Sequence, residues 1–187
     1  MPLTEDGYGL LPVIDVDPAL LEGFRCGKTH LDTFLIQAGD LHRARLGLTT
    51  VAFHRDVQGV VGYFTLANDA LPLTTSEQLE LNVDIVLKAY PAVKLGRLAV
   101  AEHLQGQGIG EQLMAFVHGE IFDSSSLSAA RLVILDADNE PRVIAFYKKA
   151  RYQESLWAES QAKNHGHGGK KGTAPTTVKM IRDILAT

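Results

Sequence analysis

The chain has a single cysteine among 187 residues, Cys26, so it can close no internal disulfide and offers a zinc ion no second thiolate. No motif around Cys26 supports a nucleophile, and it is expected as a small buried side chain. No segment approaches the roughly 20 uninterrupted apolar residues of a membrane span. The opening Met-Pro-Leu-Thr-Glu-Asp is acidic and unlike a signal peptide, so the chain reads as cytoplasmic, without membrane contact. There is no internal repeat. Residues 1–24 carry five acids and no base, and the remainder is sorted by sign: 25–55 net +3, 56–141 net −8 and 142–187 net +6, within a total of −4. The two basic stretches could meet on one face and attract a polyanion, or be ordinary solvated faces. The length and a hydrophobic content of 45% suit one compact domain over residues 1–187.

What the chain does have is concentrated in Arg97-Leu-Ala-Val-Ala-Glu-His-Leu-Gln105-Gly-Gln-Gly108-Ile-Gly110-Glu-Gln-Leu-Met, an apolar strand running through three glycines into an amphipathic helix. Glycines let backbone approach a ligand and adopt φ > 0, and the unpaired N–H groups of a helix start attract phosphate. A P-loop would need Lys-Ser/Thr after the last glycine, and a Rossmann fingerprint would need glycine where Glu111 stands. What remains is Gln-x-x-Gly-x-Gly after a strand, an anion cradle or a plain glycine-rich turn.

The remaining elements alternate. Thr29-His-Leu-Asp32 has the form of a helix start, and Leu31, Phe34, Leu35, Ala38, Leu41 and Arg45 follow with helical spacing. Leu48–His54 and Val60–Leu66 read as a hairpin across Arg-Asp-Val-Gln-Gly. Pro72 and Pro91 bracket 76–90, read as a helix followed by a turn, and Val93–Val100 is the strand entering the glycines. Ile109, Leu113, Phe116, Val117 and Ile121 form one buried helical stripe. A strand at Arg131–Asp136, a helix at Glu140–Ala150 and a strand at Thr176–Ile184 complete the series. The tract Ala158–Ala174, with His165-Gly-His-Gly-Gly-Lys-Lys-Gly, reads as a loop insertion; His165 and His167 lack the further ligands that zinc needs, so no metal is expected.

The glycine segment resembles the GNAT acyltransferase superfamily, whose pyrophosphate loop reads Gln/Arg-x-x-Gly-x-Gly/Ala; Gln105, Gly108 and Gly110 match it. A second segment, Asn139-Glu-Pro-Arg-Val-Ile-Ala-Phe146-Tyr147-Lys-Lys-Ala-Arg151-Tyr152, resembles the family's Asn-x-x-Ala-x-x-Phe-Tyr-x-x-x-Gly-Phe. Two departures stand out. Asn139 is displaced by one residue, so that it is expected chiefly as the helix N-cap, and Arg151 stands where the family has glycine, which would strain a left-handed cap. The resemblance covers residues 11–182. It implies an α/β GNAT fold with a mixed central sheet of six to seven strands flanked by helices, splayed at an acetyl-CoA site formed by Leu98, Ala99, Val100, Gln105, Gly106, Gln107, Gly108, Ile109, Gly110 and Asn139.

The implied activity is transfer of acetyl from acetyl-CoA to a primary amine. Tyr147 would protonate the departing thiolate, since a phenol of pKa about 10 still holds its proton where a thiol of about 8.5 has lost it. Taken alone, Tyr147 is equally a core aromatic at helical spacing with Val143 and Ala150. The backbone N–H of Val100 would meet the oxyanion. Nothing on 93–100 is suited as a base, and Glu102 and His103 read as exposed loop residues.

Finer patterns are Phe24-Arg-Cys-Gly-Lys-Thr-His-Leu-Asp-Thr-Phe-Leu, His42-Arg-Ala-Arg45, Val61-Gly-Tyr-Phe-Thr-Leu and Leu95-Gly-Arg-Leu-Ala-Val. They resemble the bacterial toxin acetyltransferases that act on aminoacyl-tRNA and pair with ribbon-helix-helix antitoxins. That likeness implies a homodimer, an antitoxin partner and tRNA contacts at Arg43, Arg45, Arg97, Lys148, Lys149 and Arg151. The alternatives are an enzyme for a small-molecule, peptide or protein amine, and an acyl-CoA-binding module without turnover.

Overall fold

A computed structural model describes residues 3–123, 129–165 and 175–186. The elements are β1 (Tyr8–Pro12), α1 (Pro18–Glu22), α2 (Thr29–Arg43), β2 (Leu48–His54), β3 (Val57–Leu71), α3 (Thr75–Glu80), β4 (Tyr90–Val100), α4 (Ile109–Asp123), β5 (Leu132–Asp138), α5 (Pro141–Lys149), β6 (Gln153–Glu154), α6 (Leu156–His165) and β7 (Thr177–Asp183). The strands form a seven-stranded sheet in the order β1-β2-β3-β4-β5-β7-β6. Contacts divide the chain into two compact units, Met1–Ala67 with Leu95–Ile121, and Asn68–Lys94 with Phe122–Thr187.

The first unit is built on β2 and β3, whose antiparallel register pairs Thr49 with Thr65. Their buried hydroxyls bond each other at 2.8 Å, so neither is left unsatisfied in the apolar interior. The alternation of β2 and β3 buries Val51, Val61 and Tyr63 on one face and Ala52 and Val60 on the other, all within one cluster with Leu35 and Ala38 of α2 and Ile109 and Leu113 of α4. Each fully buried Leu or Val adds about 1.5–3 kcal/mol. Gly62 admits no side chain, because a Cβ there would stand 2.5 Å from the Ala99 carbonyl and 2.8 Å from Leu113.

The second unit has its own core of Leu71, Leu73, Leu81, Tyr90, Ala92, Leu132, Ile134 and Ile181. Arg131 secures it with a bidentate pair to Asp183 (2.6 and 2.8 Å) and a bond to the Leu81 carbonyl. Buried Glu77 closes a capping box with Thr74 at the start of α3 and also accepts the Leu156 and Trp157 N–H groups at the start of α6. One carboxylate caps two helices.

Several expectations are corrected. Thr29 is not an N-cap: Lys28 holds that position without a side-chain bond, and Asp32 accepts the Cys26 N–H at 2.8 Å instead of closing a box. Helix α2 ends at Arg43, leaving Arg45 beyond it at φ +57°. The hairpin turns on Arg55-Asp56 alone, because β3 starts at Val57. The stretch 76–90 does hold a helix followed by turns, α3 spanning six residues, but β4 starts at Tyr90 and not at Val93. The first part of the supposed loop at 158–174 is helical to His165; residues 166–174, His167 among them, lie outside the described residues. Strands β1 and β6 were not foreseen.

Candidate active site

The glycine segment takes the form its sequence demands. Gly106 and Gly108 sit at φ +76° and +85°, where a side chain is strained, and no described atom lies within 4 Å of a Cβ at either position. Helix α4 begins at Ile109, itself buried, and Gly110 and Glu111 lie in its first turn, with an intrahelical bond running from Gln112 N–H to the Gly108 carbonyl. The N–H groups of Ile109 and Gly110 precede the first intrahelical bond, at the positive end of the helix. Open space beside left-handed glycines at a helix start is a geometry that suits an oxyanion.

Before the glycines, β4 carries Leu98 and Val100 half-buried on one side and Ala99 buried on the other. The chain leaves the strand at Ala101, whose N–H bonds the Val61 carbonyl. Gln105 reaches back from the loop: its Nε2 donates to the Val100 carbonyl at 3.1 Å and to the Cys26 carbonyl at 2.9 Å. Gln107 likewise returns to the His103 carbonyl. Sequence reasoning missed the Gln105–Cys26 link, which spans 79 residues and leaves no local pattern. Glu102 and His103 are exposed, as expected, in a short turn. Cys26 is buried, and burial foremost pushes its thiol up to about 11. It is inert.

In the second unit, Tyr147 lies half-buried on α5, a helix with no fully buried residue. Its ring meets Phe146 and Tyr152 edge-on at centroid distances of 5.0 and 5.8 Å. Burial, and secondarily the charge of Asp138, push its hydroxyl up to about 12. The phenol therefore holds its proton at any physiological pH. Asn139 is not the N-cap of α5; that is Glu140, without a side-chain bond, while Asn139 donates through N–H to the Thr176 carbonyl and through Nδ2 to the Pro175 carbonyl.

The six candidate cations fare differently. Arg43 pairs with Asp40 and Lys148 with Glu154, both on the surface where such pairs are weak. Arg97 is exposed, with its guanidinium 5.0 Å above the Phe34 ring, and Lys149 is exposed too. Arg45 and Arg151 are exposed, form no ion pair among the described residues, and both adopt left-handed backbone, at φ +57° and +66°. No cluster of metal-ligating side chains occurs among the described residues, nor is any described helix long and apolar enough to cross a membrane.

Comparison with family models identifies residues 47–154 as an acetyltransferase (GNAT) domain, more than half of the chain. The chain is a GNAT acetyltransferase. Its donor is acetyl-CoA, and the open cradle at Gly106 and Gly108 before a helix start fits the pyrophosphate of that molecule. No curated protein matches this acetyltransferase. Among solved structures, a tyrosine-to-phenylalanine mutant of KacT is similar, with 19% identity, 95% of each chain covered and a TM-score of 0.70. AtaT complexed with acetyl-methionyl-tRNAfMet has 22% identity, 94% of each chain covered and a TM-score of 0.70. A tyrosine-to-phenylalanine mutant of the AtaT toxin, bound to the C-terminus of the antitoxin AtaR and acetyl-CoA, has 21% identity, covers 96% of this chain and 94% of that one, and gives a TM-score of 0.66. At these identities the likeness is one of fold.

Proposed function

We propose that this acetyltransferase modifies the α-amino group of aminoacyl-tRNA and acts as the toxin of a toxin–antitoxin pair. The observation that carries the acceptor is the backbone strain at Arg45 and Arg151. A non-glycine residue in the left-handed region costs roughly 1–2 kcal/mol, and glycine is the usual residue just past a helix end. Both positions hold arginine instead, exposed and without an ion pair among the described residues. Strain retained for a surface cation supports a role in binding a polyanion. The complexes of AtaT with acetyl-methionyl-tRNAfMet and with antitoxin AtaR support the same acceptor and partner class.

The residues divide the chemistry. When bound, acetyl-CoA supplies an activated thioester carbonyl. The N–H groups of Gln107, Gly108, Ile109 and Gly110 hold its pyrophosphate, and Leu98, Ala99 and Val100 line its acyl arm. The Val100 N–H stabilises the oxygen on which charge develops. Tyr147, neutral as an ordinary phenol and more firmly so with its raised pKa, would give its proton to the sulfur as the carbon–sulfur bond breaks, while the proton released from the newly bonded nitrogen would pass to solvent or back to the phenolate. No side chain on Val93–Val100 is needed as base if the attacking amine is already largely unprotonated, as the α-amino group of an aminoacyl ester is.

The test is thiol release from acetyl-CoA with charged tRNA and with a panel of small amines at two salt concentrations. Charged tRNA should be acetylated, with a rate that falls as salt rises, and the double substitution Lys148→Glu with Lys149→Glu should imitate high salt while leaving acetyl-CoA affinity intact. Acetylation of free amines with no activity on any charged tRNA would overturn the toxin reading and leave an amine acetyltransferase. The committed charges of Arg43 and Lys148 favour that second reading, since they reduce the free positive charge. Coenzyme binding without thiol release on any acceptor would leave only a binding module.

A further inference from the structure

We propose that Gln105 is a positioning residue, not a pyrophosphate ligand: its side-chain amide clamps the glycine loop to the segment Arg25–Lys28, so that occupancy of the cradle is felt at the start of α2. The proposal rests on the reading of Gly106–Gly110 as the acetyl-CoA cradle. Every donor of Gln105 is already used inside the protein. The backbone N–H bonds the Glu102 carbonyl at 3.2 Å, and the amide Nε2 bonds the carbonyls of Cys26 and Val100. What Gln105 still offers is the acceptor Oε1, which has the wrong sign for a phosphate oxygen.

The segment it holds is tied on every side. Glu102 N–H donates to the Arg25 carbonyl, the Cys26 N–H to the Asp32 carboxylate on α2, and the Cys26 thiol to the Lys28 carbonyl. One turn into α2, the Leu31 carbonyl accepts the Tyr63 hydroxyl at 2.8 Å, and Tyr63 stacks with Phe34, over which Arg97 lies. Gly27, at φ +84°, lets the segment turn against Glu102. A continuous chain of bonds thus runs from the residue before the glycines to the aromatic start of α2, and Gln105 is the link that a single substitution removes. A loop ordered by a ligand would pull on Cys26 through this amide, and the first turn of α2 would share the ordering.

The lone cysteine sits in the clamped segment and makes the clamp measurable. Iodoacetamide alkylation of Cys26, followed by intact-protein mass, is measured on the parent and on Gln105→Met, which keeps the length of the side chain and removes its donors. Without ligand, Gln105→Met should alkylate at least about tenfold faster, with the melting temperature lowered by only a few degrees; equal rates would overturn the clamp whether or not acetyl-CoA binds. With saturating acetyl-CoA the parent should be protected further, and Gln105→Met should lose that extra protection while its calorimetric Kd stays within about twofold. Extra protection retained in the variant would overturn the coupling. A Kd raised tenfold or more, with parent-like alkylation, would return Gln105 to the pyrophosphate. A parent that binds no acetyl-CoA would defeat the cradle reading, and the ligand-free rates would still decide the clamp. Gln105→Asn, which keeps the donors but is too short to span both carbonyls, should behave as Gln105→Met does.

Discussion

The two units offer a ligand different kinds of chemistry. The first, with α2, α4 and the end of β4, presents backbone: glycines in left-handed conformations between the end of a strand and the start of a helix. The second, with β5, α5 and β7, presents a side chain, the phenol of Tyr147. Backbone donors cannot be mutated away, only displaced by a Cβ, whereas a side-chain donor can be deleted with no change in shape. Binding and turnover should therefore fail separately, according to which unit is altered.

The largest separation is expected at Gly108→Glu. A side chain there faces a strained φ of +85° and fills the open space with a carboxylate, so calorimetry should detect no acetyl-CoA binding while circular dichroism retains the fold. Unchanged affinity would break the comparison on the side of the first unit. Tyr147→Phe should do the converse, with Kd for acetyl-CoA within about twofold and kcat lower by about 10²–10⁴-fold. Its pH profile sharpens this. The raised hydroxyl stays protonated, so parent kcat should show no Tyr147-dependent fall until the pH approaches about 12. A fall that begins near 10 would mean an unperturbed phenol.

A smaller effect is expected on stability alone. Burial by itself would raise the Asp183 carboxyl, but the bonds from Arg131 and the Leu185 N–H outweigh it and hold the group below the usual carboxylate range. That contribution is present above the unfolded carboxylate pKa of about 3.9 and is lost as pH falls through the lower folded value. Arg131→Met should cost about 1–2 kcal/mol at neutral pH, a few degrees in Tm, with acetyl-CoA affinity unchanged. Its deficit should shrink in acid; a deficit independent of pH would place the cost in packing. The smallest effect is Arg151→Gly, which relieves left-handed strain and should raise Tm slightly while weakening acetylation of charged tRNA. A gain in stability with unchanged activity would remove the reason for retaining an arginine there.

Strands β2, β3, β4, β5 and β7 were legible as apolar runs, and α4 from its period: Ile109, Leu113, Val117 and Ile121 are buried and Phe116 half-buried, with Met114 added beside them. The glycine cradle was legible because few residues tolerate φ near +80°. What was not legible were bonds between residues far apart in the chain. Asp32 has the spacing of a capping box, yet its carboxylate goes to Cys26, and no local rule anticipates that competitor. The same holds for Asn139, whose donors go to Pro175 and Thr176 and not to the helix it precedes. Tyr147 itself could be placed on α5 from sequence. That it holds its proton follows from an ordinary phenol; the further rise of its pKa to about 12 was not legible, because its causes are burial, with Tyr152 beside the ring, and the charge of Asp138.

The carboxylate of Glu77 carries a consequence for the order in which the chain matures. Its capping box with Thr74 is local and can form as soon as residues 74–80 exist. Its bonds to Leu156 and Trp157 bridge 79 and 80 positions and must wait for a distant stretch of chain to return. During synthesis from the N-terminus, α3 is therefore complete while half of its capping carboxylate still faces water, and α6 receives its first-turn acceptor ready-made. Shortening the side chain by Glu77→Asp would spare neither event equally: the early one has backbone alternatives close by, and the late one has none.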